Sequence, residues 1–167
     1  MNIQLLDKNE LETTIQLFTE QVYFGDRNEA EQHFDVDYNG PSDTFVAYAD
    51  EEFAGFITIR WESHNEQFKK NNIPFIHHLE VKPEFKGHGL GHALMEVAEN
   101  LIATRVTHAG ICVGIFGAYG TAQRLYASRG YIPDGRGICH HHRPVEEGET
   151  LTIDHDLMMW LVKELPK

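Results

Sequence analysis

The chain has 167 residues, 41% of them hydrophobic and 24% charged, which suits one globular domain spanning residues 1–167 around a single sizeable core. No apolar run approaches the roughly 18–20 residues of a membrane span, and MNIQLLDKNE has no basic segment leading into an apolar stretch, so neither a membrane protein nor a secreted one is expected. The net charge of −12 is lopsided: residues 1–60 hold 13 acids against Lys8, Arg27 and Arg60, which repels phosphate backbones and argues against nucleic acid as a partner.

Two cysteines, Cys112 and Cys139, make no disulfide framework and suit a reduced, cytoplasmic setting. In chain order, Ile3–Leu6 reads as an opening strand. Asn9 can cap a helix to about Gln21, with Leu11, Ile15 and Phe18 on one face. A second short helix follows around Asn28–Phe34, and Asn39-Gly40-Pro41-Ser42 is a turn. Thr44–Ala49 and Phe53–Trp61, β-branched and aromatic on either side of Asp50-Glu51-Glu52, form an antiparallel hairpin.

The polar stretch Ser63–Asn72 is a loop or short helix, and Phe75–Val81 is a strand ending at Lys82-Pro83. Leu90, Leu94, Val97, Ala98, Leu101 and Ile102 recur at three- and four-residue intervals, the stripe of a long amphipathic helix. Gly110–Phe116 is an apolar run suited to a sheet centre, with Cys112 in the core. Thr121–Ser128 is a short helix closed by Gly130. Two strands finish the chain, around Tyr131 and over Leu151–Leu161, separated by a polar loop holding Cys139-His140-His141-His142. This order predicts one mixed α/β sheet with helices on its faces.

The segment Phe85–His92 lies between a strand and the long helix. Gly87, Gly89 and Gly91 let the backbone turn tightly and present its N–H groups, and the first amides of a helix have no intrahelical partners. With the helix dipole and Lys86 beside them, they make a phosphate cradle. The segment lacks the Gly-Lys-Ser/Thr ending of a nucleotide P-loop and does not follow an opening strand as a dinucleotide fold requires. A ligand-free turn eased by glycine has the same local pattern, so these residues alone leave the choice open.

Val81–Ala93, VKPEFKGHGLGHA, resembles the acetyl-CoA signature Arg/Gln-x-x-Gly-x-Gly/Ala of the GNAT superfamily of N-acetyltransferases, with Lys86, Gly89 and Gly91 in those places. Lysine departs from the pattern: it keeps the charge but loses the planar fork of arginine. Ala122-Gln123-Arg124-Leu125-Tyr126-Ala127-Ser128-Arg129-Gly130-Tyr131 is similar to the superfamily's Ala-x-x-Leu-Tyr-x-x-x-Gly-Phe segment. Where relatives often carry an Asn three residues before that alanine, this chain has Tyr119, so the Asn contact does not carry over. The element order suits the same fold, a mixed sheet splayed between its fourth and fifth strands.

The resemblance implies acetyl-CoA as co-substrate. Leu79, Glu80 and Val81 would flank the pantetheine arm, with Val81 offering backbone hydrogen bonds. Gly87, His88, Gly89, Leu90, Gly91 and His92 would present amides to the pyrophosphate, beside Lys86, and Tyr119, Ala122 and Tyr126 would complete the cofactor side. Tyr126 aligns with a tyrosine that protonates the departing thiolate. His77, four residues before Val81, aligns with a position that often holds the base taking a proton from the acceptor amine, and His78 is the second candidate. Strand alternation predicts that His77 and Leu79 share Val81's face while His78 and Glu80 take the other.

The implied reaction is direct transfer to a primary amine, with the acidic first 60 residues favouring a small cationic acceptor. Acetylation of a protein lysine or N-terminus, and a non-catalytic acyl-CoA sensor, are the rival readings. Edge strands are compatible with a homodimer without establishing one. Consecutive loop residues rarely converge on a tetrahedral ion, so Cys139–His142 is not expected to bind zinc, and no metal is expected.

Overall fold

The computed structural model describes residues 1–7, 11–20, 26–34 and 40–166. Its elements in chain order are β1 (Asn2–Leu5), α1 (Leu11–Glu20), α2 (Arg27–Phe34), β2 (Ser42–Ala49), β3 (Glu52–Arg60), α3 (Glu66–Lys70), β4 (Phe75–Val81), α4 (Leu90–Ala103), β5 (His108–Gly114), α5 (Gly120–Ser128), β6 (Ile132–His140), β7 (Arg143–Pro144) and β8 (Leu157–Glu164). The expected cap at Asn9, the helix end at Gln21 and the turn residue Asn39 lie outside the described residues.

The strands form one sheet in the order β1-β2-β3-β4-β5-β8-β6-β7. β4 and β5 are parallel, and the other pairings among the described residues are antiparallel. Alternation along β3 divides the core. Phe56 turns to Ile15, Phe18 and Ala30 of α1 and α2, whereas Ile57 and Ile59 turn to Leu90, Leu94, Met95, Ala98 and Ile102 of α4. The predicted stripe of α4 is therefore the face that covers the sheet. Asn65 caps the short α3 by accepting from the amides of Gln67 and Phe68, and this seats Phe68 against Phe75, Cys139 and Trp160. No helix among the described residues is long and apolar enough to cross a membrane.

Three expectations need correction. Cys139 and His140 do not lie in a polar loop: they belong to β6, with Cys139 fully buried. Pairing with β8 carries β6 through to His140 because Ile138, Cys139 and His140 oppose Met159, Met158 and Leu157. The last strand begins at Leu157 rather than Leu151 and runs to Glu164, where Leu165 still donates to the Thr107 carbonyl (2.8 Å). β5 starts two residues early at His108 and ends at Gly114, since its partner β8 fixes both limits from Glu164 to Met158.

Candidate active site

β4 and β5 pair only where they begin, Phe75 opposite Gly110 and Ile76 opposite Ile111. Beyond that point β4 stays with β3 as far as Val81, and β5 stays with β8 as far as Gly114, so the sheet splays. Along Leu79, Glu80 and Val81 no strand is paired to the β5-facing edge among the described residues. An extended ligand can use that edge as a ladder partner.

Val81 leads through a tight turn at Pro83–Phe85 into the glycine loop. Gly87 and Gly89 have φ of +82° and +84°, a left-handed backbone that strains any residue with a Cβ. A Cβ at either position would meet nothing within 4 Å among the described residues, which leaves an anion room against the main chain. Gly89 is the N-cap of α4; no side chain caps this helix end and no acid sits in its first turn. The amides of Leu90, Gly91 and His92 therefore keep the positive end of α4 open to a ligand. Gly91 also lies against α5, where a Cβ would be 3.4 Å from Leu125 Cδ2. Exposed Lys86, His88 and His92 flank the loop. The combination fits a diphosphate.

Tyr126 projects from α5 and is 6% exposed. Burial pushes its phenol well above the ordinary range, and the fields of Cys112, Glu80 and Tyr119 add to this. Glu80 is on β4 and Cys112 on β5, so the phenol senses both lips of the splay. Burial likewise pushes the Cys112 thiol up to about 12. Burial raises both groups, so the Tyr126 phenol keeps its proton and can act as an acid toward a sulfur leaving as an anion. Ala122 is half-buried on the same helix. The Tyr119 ring lies over Gly114, where a Cβ would come within 2.3 Å of it, and its hydroxyl is 3.0 Å from His155 Nδ1.

The histidines depart from strand alternation. Thr58 opposes His78 while Ile59 opposes Ile76, leaving His77 as the extra residue of a β-bulge. His77 consequently does not share the face of Leu79 and Val81. It sits with His78 on the α2 side, their ring centres 4.4 Å apart, and His33 of α2 joins them at 4.7 Å from His78 and 5.8 Å from His77. Burial lowers all three, to about 2 for His33 and about 4 for His78, and Arg60 adds to the effect in each. All three imidazoles are neutral at physiological pH.

Sequence reasoning had not singled out His33. It ends a polar helix, RNEAEQHF, and meets residues more than 40 positions away, so no local pattern marks it. Buried Arg60 also belongs here, with Nη1 3.3 Å from His64 Nε2. In the Cys139–His142 run, Cys139 faces the core, His141 adopts φ +54° in the turn to β7, and His142 packs 5.5 Å from Trp160.

α4 and α5 are locked together behind the loop. Arg129 donates to both oxygens of Glu99 (3.0 and 2.7 Å) and to the His92 carbonyl (3.2 Å), and Lys163 Nζ donates to Glu99 Oε2 at 2.7 Å. This network connects the first turn of α4, where the amides point outward, to the helix bearing Tyr126.

A sheet splayed over an open helix N-terminus, with a protonated phenol at the gap and neutral imidazoles nearby, defines an acyl-CoA-type transferase scaffold. The sequence model of the acetyltransferase (GNAT) family matches residues 10–131, and the chain belongs to that family, whose enzymes depend on acetyl-CoA. No curated protein matches the sequence significantly. Among solved structures, nourseothricin acetyltransferase is 25% identical, with 75% of this chain and 66% of that one covered and a TM-score of 0.55. Naa50 of Arabidopsis thaliana, in complex with the bisubstrate analogue CoA-Ac-MVNAL, is 16% identical over 99% of this chain and 100% of its own, with a TM-score of 0.65. The PaiA N-acetyltransferase of Thermoplasma acidophilum, in complex with coenzyme A, is 16% identical over 98% and 99%, with a TM-score of 0.58.

Proposed function

We propose that the chain transfers the acetyl group of acetyl-CoA directly to the primary amine of a small acceptor. The observation that carries this reading is the splay between β4 and β5, which leaves the Leu79–Val81 edge without a strand partner among the described residues, next to the uncapped N-terminus of α4. Acetyl-CoA supplies an activated thioester. Gly87, His88, Gly89, Leu90, Gly91 and His92, with Lys86, hold its pyrophosphate, and the free edge at Leu79–Val81 orients its arm. Tyr119 and Ala122 complete that side. His77, with His78 as the alternative, is assigned the proton of the attacking amine, a role that the burial lowering both rings opposes. Tyr126 gives its proton to the departing sulfur. No cysteine nucleophile is required.

The acidic first 60 residues favour a cationic acceptor. Buried Arg60 opposes this beside the imidazoles, so the positive charge of the acceptor belongs away from its reacting amine. Thiol release from acetyl-CoA across a panel of polyamines, aminoglycosides, amino acids and N-terminal peptides tests the reading. Turnover confined to peptides assigns a protein acceptor instead, and comparable turnover on neutral and acidic amines at low salt removes the cationic preference.

A further inference from the structure

We propose that His33, His77 and His78 form a three-imidazole site for a divalent transition metal, Zn2+ being the best fit, and that its occupancy blocks acetyl transfer. The sequence led to no expectation of metal because the run Cys139–His142 was the segment that suggested one; these three come from α2 and the bulge of β4. Among the described residues they are a group whose potential ligand atoms all lie within 4.8 Å of one another.

Three observations carry the site. The three ring centres form a triangle with sides of 4.4, 4.7 and 5.8 Å, not a column. Nitrogens about 2.0–2.1 Å from a tetrahedral zinc put ring centres roughly 5 Å apart, which the three observed spacings bracket. Second, His77 Nδ1 is buried and has no hydrogen-bond partner among the described residues, a cost that a bound ion would recover. Third, His33 Nε2 is 3.1 Å from Thr58 Oγ1, itself 2.9 Å from Thr44 Oγ1, a buried hydroxyl pair of the kind that orients a ligating imidazole. The tautomer protonated on Nε2 would donate to Thr58 Oγ1 and leave the lone pair of His33 on Nδ1 for an ion.

The donor set also limits affinity. Three imidazoles without a thiolate, beside the Arg60 guanidinium, suit reversible binding rather than a permanent structural ion. The blocking part rests on the proposed function, because a metal on His77 and His78 takes the lone pairs assigned to the acceptor's proton. Binding does not depend on that reading.

The full chain, stripped with a chelator, is titrated with Zn2+ against a chromophoric competitor. One equivalent is expected to bind, with at least tenfold weaker binding in both His33→Gln and His77→Gln, and unchanged binding in a His141→Gln/His142→Gln variant. Circular dichroism melts of each variant keep loss of binding separate from loss of fold. Absence of a stoichiometric site, or a site that survives both substitutions, overturns the proposal. Turnover of the wild type should fall in step with occupancy; full turnover at saturating Zn2+ overturns the blocking role. A metal-free chain inactive on every amine would defeat the functional reading, while the competition titration would still decide the site.

Discussion

The imidazoles of His77 and His78 lie face to face at 4.4 Å, with planes 9° from parallel, although the residues are consecutive in one strand. A regular strand would send them to opposite faces. The bulge between Ile76 and His78 turns His77 over, so both candidate bases face α2.

That arrangement predicts a specific kinetic split. In metal-free enzyme, His77→Gln should lower kcat/KM about 100-fold, a typical loss for a general base. Acetyl-CoA affinity should stay within about twofold, because the ring lies off the cofactor edge. If His78→Gln produces that loss and His77→Gln does not, the base is His78.

Gly89 supplies a test of the anion cradle. Its φ of +84° costs a residue with a Cβ about 1–2 kcal/mol, although space is open around it. Gly89→Ala should lower stability by about 1 kcal/mol and weaken acetyl-CoA binding about tenfold as the first amides of α4 reorient. Isothermal titration calorimetry with acetyl-CoA would measure this. Unchanged affinity would mean that the loop does not hold the cofactor.

Glu99 connects stability to pH. Burial would raise its carboxyl, but hydrogen bonds from Arg129 and Lys163 prevail and hold it below its ordinary value. The folded state therefore binds this proton more weakly than the unfolded chain. The resulting stability is present above about pH 4.5 and is lost as pH falls through the folded value. Glu99→Gln leaves two cations without a counter-charge and should cost about 3 kcal/mol at pH 7, with a smaller difference from wild type in acid. Urea denaturation at pH 7 and pH 4 would show it; a gap that widens in acid would contradict the assignment.

Much of the fold was legible because it rests on local periodicity. Phe75–Val81 matched to the residue, and the stripe from Leu90 to Ile102 is the buried face of α4. The glycine loop was legible for a similar reason, since the left-handed backbone at Gly87 and Gly89 favours glycine. What local pattern could not carry was long-range. The bulge at His77 depends on register against Thr58 and Ile59, and His33 reaches the site only through packing of α2 on the sheet. The strand assignment of Cys139 depends in the same way on pairing with Met158.

Tyr126 is where donor binding and chemistry should come apart most cleanly. Tyr126→Phe keeps the buried ring and removes only the proton, so the helix and its contacts should persist. Single-turnover thiol release should slow about 100-fold with the best amine, while the acetyl-CoA dissociation constant stays within about twofold. Thiol release at the wild-type rate, or affinity lost in proportion to rate, would contradict the account of Tyr126 as the acid of an acetyl-transfer site.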